Sequence, residues 1–234
     1  MSRMFMIEGK RLKTWNPIVG CYHNCIYCYA RKWAKRQKHR CALCYCFLPH
    51  LHRERLERIP RSSLPIFVCD MGDLFGSWIP KSLIKVILRK IEEYKDQEFL
   101  LLTKNPKRYL EFSFPSNVIL GATIETDSPL LYFLSKISRA PLVDERIEAM
   151  VKLKHDRKMI SIEPIIRFST DFWVWITRIK PEFVYIGYCN PLSLAKKLRL
   201  PEPKLSETLS LISKLREQGI EVREKTIRKA WYEI

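Results

Sequence analysis

Residues 14–28 read TWNPIVGCYHNCIYC, an apolar run followed at once by three cysteines, Cys21, Cys25 and Cys28. The run 14–19 predicts a β-strand, and the C-x3-C-x2-C loop after it is short enough to turn three sulfurs toward one inorganic cluster. Iron–sulfur clusters usually take four cysteines, so three ligands leave one iron with an open position. A zinc site with His23 as its fourth ligand is the competing interpretation, although His23 lies inside the same tight loop and would strain a tetrahedral geometry.

Short apolar runs alternate with helical patterns along the rest of the chain, a rhythm typical of parallel β/α units. Further strands are predicted at 65–69, 99–103, 117–124, 158–162, 182–188 and 220–223, and helices at 30–40, 82–94, 144–154 and 205–218. The predicted fold class is therefore α/β, a partial (β/α) barrel of parallel strands with a small cysteine-containing insertion. We expect a single domain over residues 1–234, with a metal-binding insertion at 39–62.

Polar side chains stand at the carboxyl end of several predicted strands. In a barrel of parallel strands these ends meet at one mouth, where ligands collect. The plainer alternative is that charged residues only mark where each strand leaves the core. The residues of this group that we expect to face a ligand are Asp70, Asp73, Thr103, Lys104, Thr123, Glu125 and Glu163.

The chain is strongly basic, with 42 Lys and Arg against 25 Asp and Glu and a net charge of +17. Residues 1–61 alone hold 14 basic and 3 acidic side chains. This favours a polyanion such as nucleic acid, or an acidic membrane surface, over a basic surface that serves only solubility. The candidate phosphate contacts, with Trp33 or Tyr29 as a stacking face, are Arg31, Lys32, Lys35, Arg36, Lys38 and Arg40.

The expected location in the cell follows from the absence of two kinds of segment, a membrane span and a signal peptide. No apolar run approaches the roughly 20 residues of a membrane span. Residues 1–13 lack the apolar core of a signal peptide, so we expect a cytoplasmic protein. Disulfides are rare in that compartment, which makes metal binding the leading interpretation of the eight cysteines.

A second cysteine group, Cys41, Cys44 and Cys46, follows the basic segment. C-x2-C spacing is typical of a metal knuckle, which a third thiol or an imidazole can complete. Zinc and an auxiliary iron–sulfur cluster are equally consistent with it, and loop thiols without a metal are the alternative. The histidines near this group are His39, His50 and His52.

The first cysteine motif, with an aromatic residue directly before its third cysteine and a predicted strand before it, resembles the radical S-adenosylmethionine (SAM) superfamily. The resemblance implies that Cys21, Cys25 and Cys28 hold a [4Fe–4S] cluster whose unique iron chelates the amino and carboxylate groups of SAM. It also implies that one electron breaks the C5′–S bond and that a 5′-deoxyadenosyl radical then removes a substrate hydrogen atom. A ferredoxin or flavodoxin would supply the electron.

More narrowly, the chain resembles a phage-related radical SAM family whose substrate the resemblance does not specify. The runs that carry it are TWNPIVGC, LHRERLERIPR, IFVCDMGDLFG, FLLLTKNP, NVILGATIE and MISIEPI, which together extend from residue 14 to about 190. Asp70 and Asp73 stand where many superfamily members have a Gly-Gly-Glu segment that receives the methionyl amino group. This departure leaves open which aspartate does so.

Two functions of different class follow from the sequence. In the first, the protein is a radical SAM enzyme that acts on a nucleic acid, in its modification or repair. In the second, it is a noncatalytic, metal-dependent nucleic-acid-binding module with structural zinc knuckles. Composition alone does not separate them, because both need cysteine loops and basic charge.

Overall fold

The computed structural model describes residues 6–7 and 9–233. Much of the N-terminal segment 1–13, on which the prediction of a cytoplasmic location partly depends, therefore lies outside the described residues. Within them, no helix combines the length and the apolar character needed to cross a bilayer.

The chain divides into two compact units, Met1–Asn24 with Cys28–Leu120, and Cys25–Tyr27 with Gly121–Ile234. The elements up to the boundary are β1 (Met6–Ile7), β2 (Lys10–Arg11), β3 (Thr14–Trp15), β4 (Ile18–Val19), α1 (Tyr29–Ala34), α2 (Ala42–Cys46), β5 (His50–Leu51), β6 (Ile66–Val68), α3 (Lys81–Glu92), β7 (Phe99–Thr103) and β8 (Val118–Thr123), which the boundary divides. The second unit continues with α4 (Pro129–Leu134), α5 (Val143–Lys152), β9 (Lys158–Ile162), α6 (Phe172–Ile179), β10 (Phe183–Ile186), α7 (Leu192–Leu198), α8 (Leu205–Glu217) and β11 (Glu221–Glu224).

In the first unit, β6 lies between β3 and β7 and pairs in parallel with both. Strand β8 follows β7 in the same sheet. Helix α3, which lies between β6 and β7 in the chain, has an apolar stripe at helical spacing, Ile84, Ile87, Leu88 and Ile91, all buried. Burying each of these side chains contributes about 1.5–3 kcal/mol relative to leaving it in water.

In the second unit, β10 lies between β9 and β11 and pairs in parallel with both. The strands β9 and β10 are buried along their whole length, as expected of parallel strands covered on both faces. Helix α8 buries Leu211, Ile212 and Leu215. Counting the strands of both units, the chain has a seven-stranded sheet with flanking helices, and the predicted α/β class is confirmed.

Two predicted elements are wrong in extent. The strand predicted at 14–19 ends at Trp15, because Pro17 has no amide hydrogen to continue the ladder. Ile18–Val19 instead pairs antiparallel with His50–Leu51. The helix predicted at 30–40 ends at Ala34 and is followed by one 3-10 turn, Lys35–Gln37. Like charges at i,i+4, such as Arg31 with Lys35, destabilise its continuation.

Candidate functional site

The first cysteine loop begins at a glycine that no other residue can replace without strain. Gly20 has φ +94°, and a Cβ there would lie 2.2 Å from the backbone oxygen of Leu48. Its amide donates to the Met71 carbonyl at 2.9 Å, and the amide of Cys21 donates to the Phe47 carbonyl at 3.3 Å. These contacts fix the backbone at the point where the loop leaves β4.

The three sulfurs of this loop are half-buried, and each has a polar neighbour. Cys21 Sγ accepts a hydrogen bond from the amide of His23, and Cys28 Sγ, at the N-terminus of α1, accepts one from the amide of Arg31, both at 3.4 Å. Cys25 Sγ lies 3.2 Å from Ser138 Oγ. Such hydrogen bonds stabilise charge on a thiolate sulfur and tune clusters bound by cysteine. Thiolates are the ligand type that iron–sulfur clusters take, but the three residues are not among the described groups whose ligand atoms converge on one point.

His23 points to a carboxylate. Its Nε2 lies 2.9 Å from Asp73 Oδ2, and both side chains are buried. The ring also stacks edge-on against Trp78, with 4.8 Å between ring centroids. Asp73 thus engages Nε2, and His23 is not among the described residues whose potential ligand atoms converge on one point.

Asp73 is the centre of an internal hydrogen-bond network that brings together three of the predicted cofactor residues. Besides its contact with His23, its carboxylate accepts from Thr103 Oγ1 at 2.7 Å and from the amides of Lys104 and Phe75 at 3.0 Å each. Burial by itself would raise the pKa of Asp73, but these hydrogen bonds outweigh it and hold the pKa below its usual value. Asp73 is thus a charged carboxylate, and both of its oxygens accept hydrogen bonds from residues of the first unit.

In the second unit, Glu125 is a buried carboxylate with internal partners, as Asp73 is in the first unit. Its carboxylate forms an ion pair with Arg146 at 2.8 Å, and neither side chain has any exposed surface. The hydroxyl of Tyr27, the residue before Cys28, donates to the other carboxylate oxygen. Burial disfavours the charge on Arg146, but Glu125 and Tyr132 raise its pKa, so the guanidinium stays charged. This cluster anchors Tyr27.

The remaining predicted cofactor residues differ in their surroundings. Glu163, after β9, forms an ion pair with Lys225. Asp70 is half-buried, and its Oδ1 accepts from Asn16 Nδ2 at 2.5 Å. Burial raises the pKa of Asp70, although hydrogen bonds from its neighbours oppose this. Thr123 is buried, and its carbonyl accepts from Arg146 at 2.9 Å.

The basic segment after Cys28 presents most of its charges to solvent. Lys32, Lys35, Arg36, Lys38 and Arg40 are exposed, whereas Arg31 is half-buried and donates to Asn24. The guanidinium of Arg36 lies 3.8 Å from the ring centroid of Trp33 and covers one face of that ring.

In the second cysteine group, the structure joins Cys41 and Cys44 to two histidines. The ligand atoms of Cys41, Cys44, His50 and His52 all lie within 4.8 Å of one another. Cys46 and His39 are exposed and outside this group. Among the described residues, no other group of three or more potential ligands converges in this way.

Sequence reasoning missed the roles of two site residues, Arg146 and His23, and only Arg146 had a signal that points to its role. Arg146 occupies a position on the apolar stripe of α5 formed by Val143, Ile147 and Met150. A charged residue on such a stripe indicates a buried ion pair. For His23 the sequence suggests only a zinc ligand, and nothing in it points to Asp73 as the partner of this ring.

The fold of the chain is similar to that of several solved radical SAM enzymes. It is similar to a spore photoproduct lyase with bound AdoMet and dinucleoside spore photoproduct, at TM-score 0.57 and 11% identity over 89% of this chain and 75% of that one. It is similar to SuiB from Streptococcus suis bound to the precursor peptide SuiA, at TM-score 0.55 and 12% identity over 92% and 48%. A third structure, a radical SAM methyltransferase from Sphaerobacter thermophilus, has TM-score 0.50 and 16% identity over 91% and 66%. At these identities the likeness establishes the fold, and the predicted partial (β/α) barrel is confirmed.

Residues 10–174 match the model of the family described as "Protein of unknown function (DUF5131)", and the chain belongs to that family. No curated protein matches the sequence. The family description does not mention phages, so the narrower phage-related assignment stays a prediction.

Proposed function

We propose that this protein is a radical SAM enzyme in which Cys21, Cys25 and Cys28 hold a [4Fe–4S] cluster. The observation that carries the proposal is the C-x3-C-x2-C loop, which comes after β3 and the short strand β4 in a chain whose fold is similar to that of radical SAM enzymes. When bound, the cluster and SAM supply a 5′-deoxyadenosyl radical for hydrogen abstraction. The alternative, a noncatalytic zinc-knuckle module, has no comparable support from the fold.

Within the first unit, we assign the SAM ammonium to Asp70 rather than Asp73. Asp73 already accepts hydrogen bonds on both oxygens from inside the unit. Asp70 is half-buried, and burial raises its pKa, so a cation at this carboxylate would favour its charged form. By the resemblance to the radical SAM superfamily, Thr103, Lys104 and Thr123 are candidates for the ribose and carboxylate of SAM, whereas Glu125 and Glu163 hold internal ion pairs.

Anaerobic purification and reconstitution with iron and sulfide test the enzyme assignment. We expect a brown protein that releases 5′-deoxyadenosine from SAM after reduction with dithionite, which replaces the biological ferredoxin or flavodoxin. Cys25→Ser should lose both the cluster and this product, whereas Cys46→Ser, a change at an exposed cysteine, should keep them. Cluster-loaded protein that forms no 5′-deoxyadenosine would refute the proposal.

SAM affinity tests the role of Asp70. Asp70→Asn should weaken SAM binding by roughly tenfold or more, since a hydrogen bond to a charged group contributes about 1.5–3 kcal/mol. Asp96→Asn, the same change at an exposed aspartate of the same unit, should leave the affinity as it is. Equal affinities for both variants would exclude Asp70 as the ammonium acceptor.

For the substrate we propose a nucleic acid, with a base or sugar as the site of attack. The support is the net charge of +17 and the exposed basic side chains that follow Cys28 directly. A base inside a duplex must leave the stack before an enzyme can reach it, so single-stranded or structured RNA and damaged DNA suit this site better. The dinucleoside bound to the spore photoproduct lyase is consistent with this class, whereas the peptide bound to SuiB points to a second one.

The salt dependence of oligonucleotide binding tests this choice. For single strands, the slope of log K against log salt concentration is about −0.7 per neutralised phosphate. Changing Lys32, Lys35 and Lys38 to Gln should therefore make the slope shallower by about 2. The control changes three exposed lysines elsewhere in the first unit, Lys85, Lys95 and Lys107, and should keep the slope. A similar effect of both triple variants would show only unspecific attraction by net charge.

A further inference from the structure

The group Cys41, Cys44, His50 and His52 has contacts that a set of unligated side chains does not explain. The Nε2 atoms of His50 and His52 face each other at 2.9 Å. His50 Nδ1 lies 2.7 Å from the Leu48 carbonyl oxygen, and His52 Nδ1 lies 2.9 Å from a carboxylate oxygen of Glu54. Because only a protonated Nδ1 can donate to these acceptors, each neutral ring presents a lone pair at Nε2. Two facing lone pairs repel each other unless a cation lies between them.

The sulfurs complete the arrangement. His50 Nε2 lies 3.5 Å from the Sγ atoms of both Cys41 and Cys44, and His52 Nε2 lies 3.1 Å from Cys44 Sγ. A tetrahedral zinc ion with Zn–S near 2.3 Å and Zn–N near 2.0–2.1 Å separates a sulfur from a nitrogen ligand by about 3.5 Å. The two separations from His50 Nε2 match this value, and the one between His52 Nε2 and Cys44 Sγ is somewhat shorter. Hydrogen bonds to Nδ1 of both rings are also those by which proteins orient metal-binding imidazoles.

We propose that Cys41, Cys44, His50 and His52 bind one structural Zn²⁺ ion. Four protein ligands close the coordination sphere, which is typical of a structural rather than a catalytic zinc. A [2Fe–2S] cluster with two cysteines on one iron and two histidines on the other would separate sulfur from nitrogen by more than the 3.1 and 3.5 Å found here. Cys46, the third thiol of the sequence motif, is exposed and is not a ligand.

The ion would stabilise a segment that lies directly against the first cysteine loop. Phe47, which follows α2 with φ +58°, packs with Ala30 and Ala34, and Cys21 and Cys28 contact the same cluster. The segment also holds the carbonyl that accepts from the Cys21 amide. This zinc proposal does not depend on the proposed radical chemistry. A bound ion would, however, restrain the Phe47 carbonyl and with it the backbone at Cys21.

Metal analysis of the full chain tests the proposal without any activity assay. Protein from zinc-supplemented cultures should contain about one zinc ion per chain. Cys41→Ser and His52→Gln should each lower zinc retention against a chelator by roughly tenfold or more, while Cys46→Ser should keep it. The triple change of Cys21, Cys25 and Cys28 to Ser should remove iron and keep zinc, which separates failure of this site from failure of the proposed enzyme.

Cobalt substitution of the unmodified chain provides a readout that does not depend on the folding of variants. Co²⁺ bound by two thiolates and two imidazoles should give the visible bands of a tetrahedral complex and a thiolate charge-transfer band. Cys46→Ser should leave the spectrum unchanged. Iron in place of zinc, an octahedral cobalt spectrum, or loss of zinc from Cys46→Ser would each overturn the proposed set of ligands.

Discussion

Replacing Glu125 with Gln isolates the contribution of the buried ion pair in the second unit. Arg146 would keep its hydrogen bonds to the Thr123 carbonyl at 2.9 Å, the Pro141 carbonyl at 2.8 Å and the Tyr132 hydroxyl at 2.7 Å, but its charge would lose its partner. Because both side chains have no exposed surface, water cannot replace that partner. Breaking a buried pair in this way costs about 3–5 kcal/mol.

The assay is thermal and urea unfolding of matched preparations, followed by circular dichroism and fluorescence. For a chain of this size, 1 kcal/mol corresponds to roughly 2–4 °C, so Glu125→Gln should lower Tm by roughly 6–20 °C. Glu148→Gln is the matched control. Its side chain is 65% exposed and pairs with Lys152 on the surface of α5, so it should change stability by at most about 0.5 kcal/mol.

The double variant Glu125→Gln/Arg146→Met distinguishes a charge effect from a general packing defect. Removing both charges should cost less than the sum of the two single changes, because no isolated ion is left in the core. If Glu125→Gln instead matched Glu148→Gln in stability and weakened SAM binding, Glu125 would be a cofactor contact and our assignment of its structural role would be wrong.

Two further changes test the first unit. Asp73→Asn should lower the free energy of unfolding by at least about 2 kcal/mol at neutral pH, because an amide nitrogen would replace an acceptor oxygen. The pKa of Asp73 in the folded protein lies below its usual value, so this contribution is present above about pH 4 and is lost as the pH falls through the folded pKa. Plots of unfolding free energy against pH for the wild type and Asp73→Asn should therefore converge in acid. A difference that stays constant with pH would contradict this role of Asp73. Gly20→Ala should destabilise more than Gly219→Ala in urea unfolding, since both have positive φ but only Gly20 would bring a Cβ against the Leu48 carbonyl. Equal losses would mean that the close contact has no effect.

The sequence predicted the fold well because parallel strands and amphipathic helices have strong local patterns. The strands at 99–103 and 158–162 have the predicted bounds, and the helix at 82–94 is displaced by one or two residues. The prediction of one strand over 14–19 is wrong because it follows the apolar character of the run and overlooks Pro17, which ends the ladder. The pairing of Ile18–Val19 with His50–Leu51 was not predictable for another reason, as it depends on a partner about 30 residues away.

The proposed zinc ligands show a similar limit. C-x2-C spacing indicates Cys41 and Cys44, and His50 and His52 lie nearby in the sequence, but spacing alone does not choose between the two histidines and Cys46. The αL residue Phe47 ends α2 directly after Cys46, and the chain then returns as β5. That return brings the imidazoles, and not the third thiol, toward the first two sulfurs.

The acidic residues at strand ends illustrate why a correct topology does not by itself identify ligands. Asp73 and Glu125 follow buried strands in the same way, yet each accepts hydrogen bonds from a buried cation or imidazole of its own unit. Both carboxylates hold residues of the cysteine loop in place, because Asp73 contacts His23 and Glu125 accepts from Tyr27. Among the residues that the structure describes, the Asp70 side chain has no such buried charged partner, and for that reason it is the aspartate that we assign to a ligand. A strand-end carboxylate is therefore best judged by the charges around it and not by its position alone.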